Sequence, residues 1–397
     1  MTMAAVIESQ MAGSLQSSAS RIARVEVLHN MHAAETIWRG LEYPPQFATP
    51  YQRFDFQTAW HKHVGERENL RPFIVIAYDV DHQPLLLLPL GTSHEKGVRI
   101  ARFLGGKHVT FNMALWRRDF ADSITRADLD VLMSAIRGHS DNIDVLALKR
   151  QPRRWGGLPN PMSLLPNQAS INDCPLMTIV PDAPPAERIS NSFRRRLKGK
   201  ERKLQSLPGY RYYLATAEAD IKRLLDAFFT VKPLRMAEQK LPNVFADPGT
   251  EDFIREACTA PLAAGGHAID IHALECDDEM IAIFAGVADG QRFSMMFNTY
   301  TMSDNARYSP GLILMRDIVD SYAARGYTSL DLGIGSDDYK RLFCKSDEPI
   351  FDSFLAVSAR GQVAATMMSS LTHAKRLVKQ TPALKQLAQM LRGVLHR

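Results

Sequence analysis

The chain has no Cys-x-x-Cys pair, and its four cysteines, Cys174, Cys258, Cys276 and Cys344, are scattered over 397 residues. That spacing excludes a disulfide scaffold and a structural zinc site and fits a reducing, cytoplasmic setting. No apolar run approaches a membrane span. The most apolar stretch, PLLLLPL at 84–90, is short and bracketed by proline. Residues 1–20 lack a basic start and a continuous apolar core, so they are expected to be a disordered leader, not a signal peptide. There is no strong internal repeat, no Ser-His-Asp order and no metal-ligand cluster. His267 and His272 read as strand-end residues. Residues 353–397 lack Asp and Glu altogether.

What is present is the composition of a soluble globular protein, 45% hydrophobic and 23% charged. The chain is too long for one core, so two domains and a tail are expected. The net charge of +5 hides two islands: the acid-free tail at +7, and RRRLKGKERK at 194–203 at +6. Islands of this kind suggest local contacts with anions and argue against a nucleic-acid-coating surface.

Periodicity gives two sets of elements with the same mixed grammar, which predicts an α/β (α+β) protein. The first set has strands at RVEVLH, RPFIVIAYDV, QPLLLLPLGTS, GVRIARFLGG and NIDVLALKRQ, with helices near 31–42, at DFQTAWHKHVG and at ITRADLDVLMSAIRGHS. A Pro/Gly/Asn-rich connection follows at 151–190. The second set opens with a basic helix capped by Ser190 or Asn191. A helix broken or kinked at Pro233 comes next, then one capped near Thr250. A hairpin around CDDE and the strand QRFSMMFNTYT precede the joint ARYSPGLILMRDIV. The division drawn from this is 1–20 leader, 21–175 first domain, 176–358 second domain and 359–397 basic helical tail.

The joint Tyr308-Ser309-Pro310-Gly311 opens a helix. Proline suits the first turn because its missing N–H has no helical partner. The start of a helix carries unpaired amides and about half a positive charge. Gly311 lets a ligand approach the backbone, and Arg307 and Ser309 add donors. Two readings are open: a cradle for phosphate or pyrophosphate, or an ordinary turn shaped by Pro and Gly. Downstream, SLDLG places Asp331 off the apolar face of a strand, and IGSDDYKRLFC brings Tyr339 and Lys340 after a turn. A strand carboxylate needs either a partner or a task.

The order of TPYQRFDFQTAW, LLLLPL, RFLGG, FADPGTEDFIREA and ARYSPGLILMRDIVDSYAARGYTSLDLGIGSDDYKRLF resembles the CelD/BcsL-type acyltransferases of the GNAT superfamily, and more distantly the Fem-type aminoacyl transferases. The likeness spans most of 45–358 and is strongest over 228–343. It implies two tandem GNAT-like domains, each a mixed, mostly antiparallel sheet flanked by helices. The second would carry the acyl-CoA site and the first would be non-catalytic, shaping the acceptor site.

The resemblance further implies acetyl-CoA or another acyl-CoA as co-substrate, no metal, and a cellulose, exopolysaccharide or envelope setting. Its diphosphate would rest on Arg307, Tyr308, Ser309, Gly311 and Leu312, and its pantetheine on Met295, Phe297 and Asn298. The loop departs from the superfamily's usual Arg/Gln-x-x-Gly-x-Gly/Ala, because Pro310 stands beside the first glycine position and only Gly311 is unobstructed.

The chemistry expected is direct acyl transfer to an amine or hydroxyl, with Asp331 as base and Tyr339 as acid. Asp331 as a structural acceptor is the competing reading. Arg195, Lys198 and Lys340 are candidates for binding an acidic small-molecule or glycan acceptor. A solvated face is the alternative for the basic helix. The tail could pack on the protein, dock on polysaccharide-synthesis partners or lie on the inner membrane surface. The rival functions are a degenerate GNAT scaffold and a Fem-like transferase.

Overall fold

Phe73–Tyr78 and Leu85–Leu90 are apolar without alternation because both faces of these strands are covered. They lie inside the first sheet of a computed structural model that describes residues 20–381 except 264 and 336. The proposed leader through residue 19 lies outside the described residues. So do Pro382, Leu384, Leu387, Leu391 and Leu395 of the tail.

The first sheet runs Arg24–Leu28, Arg71–Tyr78, Pro84–Glu95, Val98–Phe103, Val145–Pro152, Ile350–Ala356, Gln168–Ala169. The second runs Arg211–Ala215, Asp270–Cys276, Glu279–Ala288, Arg292–Tyr300, Ser329–Asp331, Cys174–Thr178, Ser346–Glu348. Each begins as a four-stranded antiparallel meander. Each then adds a fifth strand parallel to the fourth, returned through a helix. The tandem mixed α/β architecture expected from the sequence is present.

The sixth strand of each sheet comes from the other half of the chain. Cys174–Thr178 follows the first-half elements yet pairs with Ser329–Asp331 in the second sheet. Ile350–Ala356 follows the second-half elements yet pairs with Val145–Pro152 in the first. The strand Cys174–Thr178 thus goes with the second half, within two residues of the 175/176 boundary, whereas Ile350–Ala356, which the division at 358 gave to the second half, joins the first sheet. The helix Ala359–Gln380 then covers the first sheet. Gln168 Nε2 donates to the Ser369 carbonyl at 3.1 Å, and Arg376 reaches the Ser170 carbonyl. Over its described part the tail therefore packs on its own protein.

The exchange ties the two sheets together, and one core cluster runs from Phe73 and Trp116 to Phe253 and Phe297. A second cluster lies where Phe193, Leu197 and Leu204 of the basic helix (Asn191–Leu204) meet Ile313, Leu314 and Tyr322 of the helix Pro310–Ala324. Other local differences are small. Gly249, with φ +80, precedes the helix Thr250–Thr259, so Thr250 is its first residue and not its cap. The helix Glu218–Glu238 continues through Pro233. His272 is buried mid-strand, bonded to Tyr212 and Tyr322 hydroxyls at 3.0 Å each.

Phe351, fully buried in the exchanged strand, tests this coupling. Phe351→Ala should lower unfolding stability by about 3–5 kcal/mol. Urea denaturation should still show one transition, because neither sheet is complete without the other half. Two separated transitions would show that the halves fold independently.

Candidate functional site

The site forms where the two parallel strands of the second sheet part. Arg292 pairs with Ser329, Phe293 with Leu330 and Ser294 with Asp331, and the ladder ends there. Gly333, at φ +71, then turns the chain away. A Cβ on Gly333 would lie 3.1 Å from the Met295 carbonyl, so glycine also permits the close approach. On the other edge Gly286 opposes Met295 and Ala285 opposes Phe297, which leaves Met296 as an extra, bulged residue. A bulge frees the local backbone from the ladder and re-aims it.

A cavity of about 450 Å³ fills the fork. The second half supplies Met295, Met296, Phe297, Asn298, Leu332, Gly333, Ile334 and Tyr339 to its wall, and Lys107, His108 and Arg150 come from the first half. The cavity therefore lies between the halves. Tyr339 brings a phenol to the fork, and its oxygen accepts a hydrogen bond from Asn298 Nδ2 at 3.4 Å. The phenol proton is left free to be donated. Burial pushes the Tyr339 pKa up to about 12, so the group is protonated at neutral pH.

Asp331 does not face this cavity. It has no exposed surface. It accepts hydrogen bonds from the Ser294 hydroxyl, from the Gly333 amide at 3.1 Å and from Cys174 Sγ at 3.6 Å. The expectation of a base directed at an acceptor is corrected: the carboxylate pins the turn that opens the fork. The alternation that takes Asp331 off one apolar face directs it to the other face of the sheet, where Ser294 and Cys174 from the adjacent strands meet its carboxylate.

Lys340, unlike Asp331, does line the cavity, but its ammonium is already engaged. It is buried, and its ammonium donates to the carbonyls of Gly333 at 3.1 Å and Ile334 at 3.3 Å and pairs with Asp337 at 3.4 Å. It holds the turn. Arg195 and Lys198 are exposed on the outer side of the basic helix, away from the cavity lining.

Burial raises the pKa of Asp331 to about 6, with Arg292 the main opposing influence. The folded value exceeds the usual carboxylate value. The proton-linked stabilisation is therefore complete below about pH 4 and lost as pH rises through about 6. Asp331→Asn should remove that slope, giving up to roughly 3 kcal/mol of relative gain at pH 8 over pH 4 in denaturant titrations. Activity should fall only a few-fold if Asp331 positions the turn. A loss beyond about 100-fold at unchanged fold would restore it as the base.

The helix joint lies further along the same strand. Ser309 adopts φ +58 and Pro310 is the first helical residue. The Leu312 and Ile313 amides turn back to the Ser309 carbonyl at 3.0 and 3.2 Å. Among the described residues the Gly311 amide has no partner, so one free donor opens the helix and not several. A Cβ at Gly311 would stand 3.5 Å from Tyr300 and 3.8 Å from Phe284, leaving the position accessible. Tyr300 is two residues beyond Asn298, which links the joint to the fork.

Lys200 Nζ donates to Ser309 Oγ at 2.7 Å. The basic helix is fixed against the joint helix by Arg194 on Asp320 and by Arg316 on Glu201 at 2.9 Å. Arg307 is exposed, with its guanidinium at the Tyr308 hydroxyl, 3.0 Å away. Cations therefore stand at the side chains of both residues preceding Pro310-Gly311, Arg307 at Tyr308 and Lys200 at Ser309, and the residues present fit a diphosphate. Tyr308 and Leu312 are half-buried beside it.

Lys200 was missed from sequence, although a signal exists. Phe193, Leu197 and Leu204 form the inward stripe of the basic helix, and position 200 falls on the same stripe. Lys107, His108 and Arg150 had no such signal, because only tertiary folding brings them to the fork. Trp60 Nε1 donates to His108 Nδ1 at 3.0 Å, so the neutral imidazole carries its proton on Nε2. Burial takes the pKa of His108 down to about 4. His108 is therefore a neutral donor at pH 7. Among the described residues, no group of three His, Cys, Asp or Glu is placed to hold a metal ion.

Comparison with known proteins identifies the part of the chain that carries this site. Residues 191–341 match the family model of the acetyltransferase (GNAT) domain. That stretch includes the basic helix, the fork, the joint and Tyr339, so all of them lie in the part of the chain that is similar to the acetyltransferase (GNAT) domain. In solved structures the fold is similar to that of FemX, at 8% identity and a TM-score of 0.55 over 86% of this chain and 99% of that one. It is also similar to the C-terminal domain of a protein assigned as a lysylphosphatidylglycerol synthetase from Agrobacterium fabrum, at 10% identity and a TM-score of 0.51 over 86% of this chain and 98% of that one. No curated protein matches the sequence significantly.

Proposed function

We propose that the protein transfers an acyl group, acetyl in the simplest case, from coenzyme A to an amine or hydroxyl of a small-molecule or glycan acceptor. The observation that carries this reading is the alignment, along one strand, of a helix start with a free amide and a bulged fork containing a protonated phenol. Gly311, Lys200 and Arg307 hold the diphosphate. Met295, Phe297 and Asn298 line the pantetheine path. The acceptor enters through the cavity between the halves.

The acceptor's nitrogen or oxygen attacks the thioester carbonyl carbon, and the carbon–sulfur bond breaks. Backbone N–H groups at the Met296 bulge stabilise the oxyanion. Tyr339 gives its proton to the departing thiolate and regains one from the acceptor by way of water, so the acceptor's proton ends on the coenzyme thiol. Asp331 and Lys340 act through the Gly333 turn that keeps the fork open.

An exopolysaccharide or envelope setting is supported by the sequence resemblance. Among the described residues no helix is long and apolar enough to cross a membrane. Exposed Val363, Met367 and Leu371 on the acid-free tail helix support peripheral attachment to a membrane or a synthase complex.

Calorimetric titration with acetyl-CoA, followed by mass spectrometry of candidate glycans and cell extracts incubated with labelled acetyl-CoA, tests the function. Saturable binding and a labelled acceptor are expected. A folded protein that binds no acyl-CoA would be a GNAT scaffold, and label delivered only from an aminoacyl-tRNA would mark a Fem-like transferase.

A further inference from the structure

The first half contains the same fork. Val98–Phe103 and Val145–Pro152 run parallel, with Ile100 opposite Val145, Ala101 opposite Leu146 and Arg102 opposite Ala147. They then diverge, as the paired strands of the second sheet do after three residues. A cavity of about 340 Å³ occupies the divergence. What differs is the chemistry at its end. The chain beyond Phe103 enters the turn Gly105–Gly106 and not a Pro-Gly helix start. No row of helix amides awaits a diphosphate here, and side chains supply the charge.

Arg102, Lys107, Lys149 and Arg150 line the cavity, against Glu95 and the exposed Glu68. Arg102 is paired with Glu95, and Lys107 with Asp247. Lys149 lies 5.5 Å over the Phe354 ring, with no ion-pair partner among the described residues. Arg150 directs one guanidinium nitrogen to the carbonyls of Lys107 at 2.8 Å and Val109 at 2.9 Å, again with no carboxylate partner. The balance is positive. Asn112 also lines the cavity, is 3% exposed, and its carboxamide oxygen has no hydrogen-bond partner. A buried acceptor without a donor is costly, and a ligand hydroxyl or amide would satisfy it.

Arg150 and Lys107 line both cavities. Arg150 sits at φ +59, a strained value for a non-glycine residue. Its amide donates to Asp352 of the exchanged strand at 2.8 Å, which holds it there. The fold thus keeps a strained, uncompensated cation at the wall common to the two forks.

We propose that the first fork is a second ligand pocket that holds the anionic, phosphate- or carboxylate-bearing part of the acyl acceptor, while the acceptor's nucleophile reaches past Arg150 and Lys107 into the second fork. The role as acceptor anchor rests on the acyltransferase reading; the existence of an anion pocket does not.

The test uses the full chain saturated with CoA, so that the Gly311 joint is occupied, and titrates inorganic pyrophosphate in one arm and glucuronate in the other. Binding in either arm is expected, and the responding arm distinguishes a phosphorylated from a carboxylated acceptor. Lys149→Glu should weaken that binding at least about tenfold and leave CoA affinity unchanged. Lys345→Glu, a charge reversal at an exposed site in the second half, should change neither. No binding in both arms, or binding indifferent to Lys149→Glu, would overturn the pocket. If CoA itself does not bind, the same titrations in a Gly311→Glu background, where the joint repels anions, read the first fork alone. Failure of the coenzyme site and failure of this pocket therefore remain separate results.

Discussion

Gly311→Glu should weaken CoA binding by at least about 100-fold while leaving the protein as stable as before, or slightly more so. The two effects have independent causes. Among the described residues the unpartnered amide at the helix start is that of Gly311, and a carboxylate there would place like charge against a diphosphate and cover the donor. A 100-fold loss corresponds to about 2.7 kcal/mol, within reach of one lost charge-assisted hydrogen bond plus repulsion. The fold should tolerate the change, since a Cβ at this position meets nothing closer than Tyr300 at 3.5 Å. Glycine is also a poor helix residue, by about 1 kcal/mol, and an acidic side chain in the first turn opposes the helix dipole favourably. Calorimetry and a thermal melt on the same sample separate the outcomes. Lost affinity with a raised or unchanged melting temperature is the expected pair.

Tyr339→Phe should lower kcat by about 100-fold or more, with CoA affinity little changed. The substitution removes one oxygen and keeps the ring. The lost contact is the long bond from Asn298, so structural damage should be slight. Burial raises the phenol pKa to about 12. The group therefore remains protonated across the assay range, and as an acid it should impose no falling limb on the wild-type rate below about pH 10. The Phe variant should lose rate by the same factor at every pH. Unchanged kcat would remove Tyr339 from proton transfer.

Much of the second half was readable because its signals are local. Pro310 at the first helical position and Gly326 beyond the last turn delimit the helix Pro310–Ala324. The hairpin of Asp270–Cys276 and Glu279–Ala288 and the following strand carry their own apolar patterns. Met295, Phe297, Asn298 and Tyr339 do meet at one cavity.

Long-range pairing left no local trace. Nothing in IFDSFLA states which sheet it will join, so its pairing with the first sheet was invisible and the division at 358 kept it with the second half. Asp331 failed for a related reason. Alternation tells which face a side chain takes, but not whether another part of the fold covers that face. Lys340 reads as a surface lysine until the Gly333 turn is built, and then its ammonium meets two carbonyls. Lys200 was within reach of helical periodicity, and it shows that a cation on the apolar stripe of a basic helix deserves a partner search.

A crystal structure of the full chain with desulfo-CoA would test the coenzyme site most directly. The account predicts the diphosphate within hydrogen-bond distance of the Gly311 amide and of Lys200 Nζ. It places the pantetheine between Met295–Asn298 and Leu332–Ile334 and the sulfur-proximal end near Tyr339. A ligand seated elsewhere, with the Gly311 amide left unengaged, would contradict it.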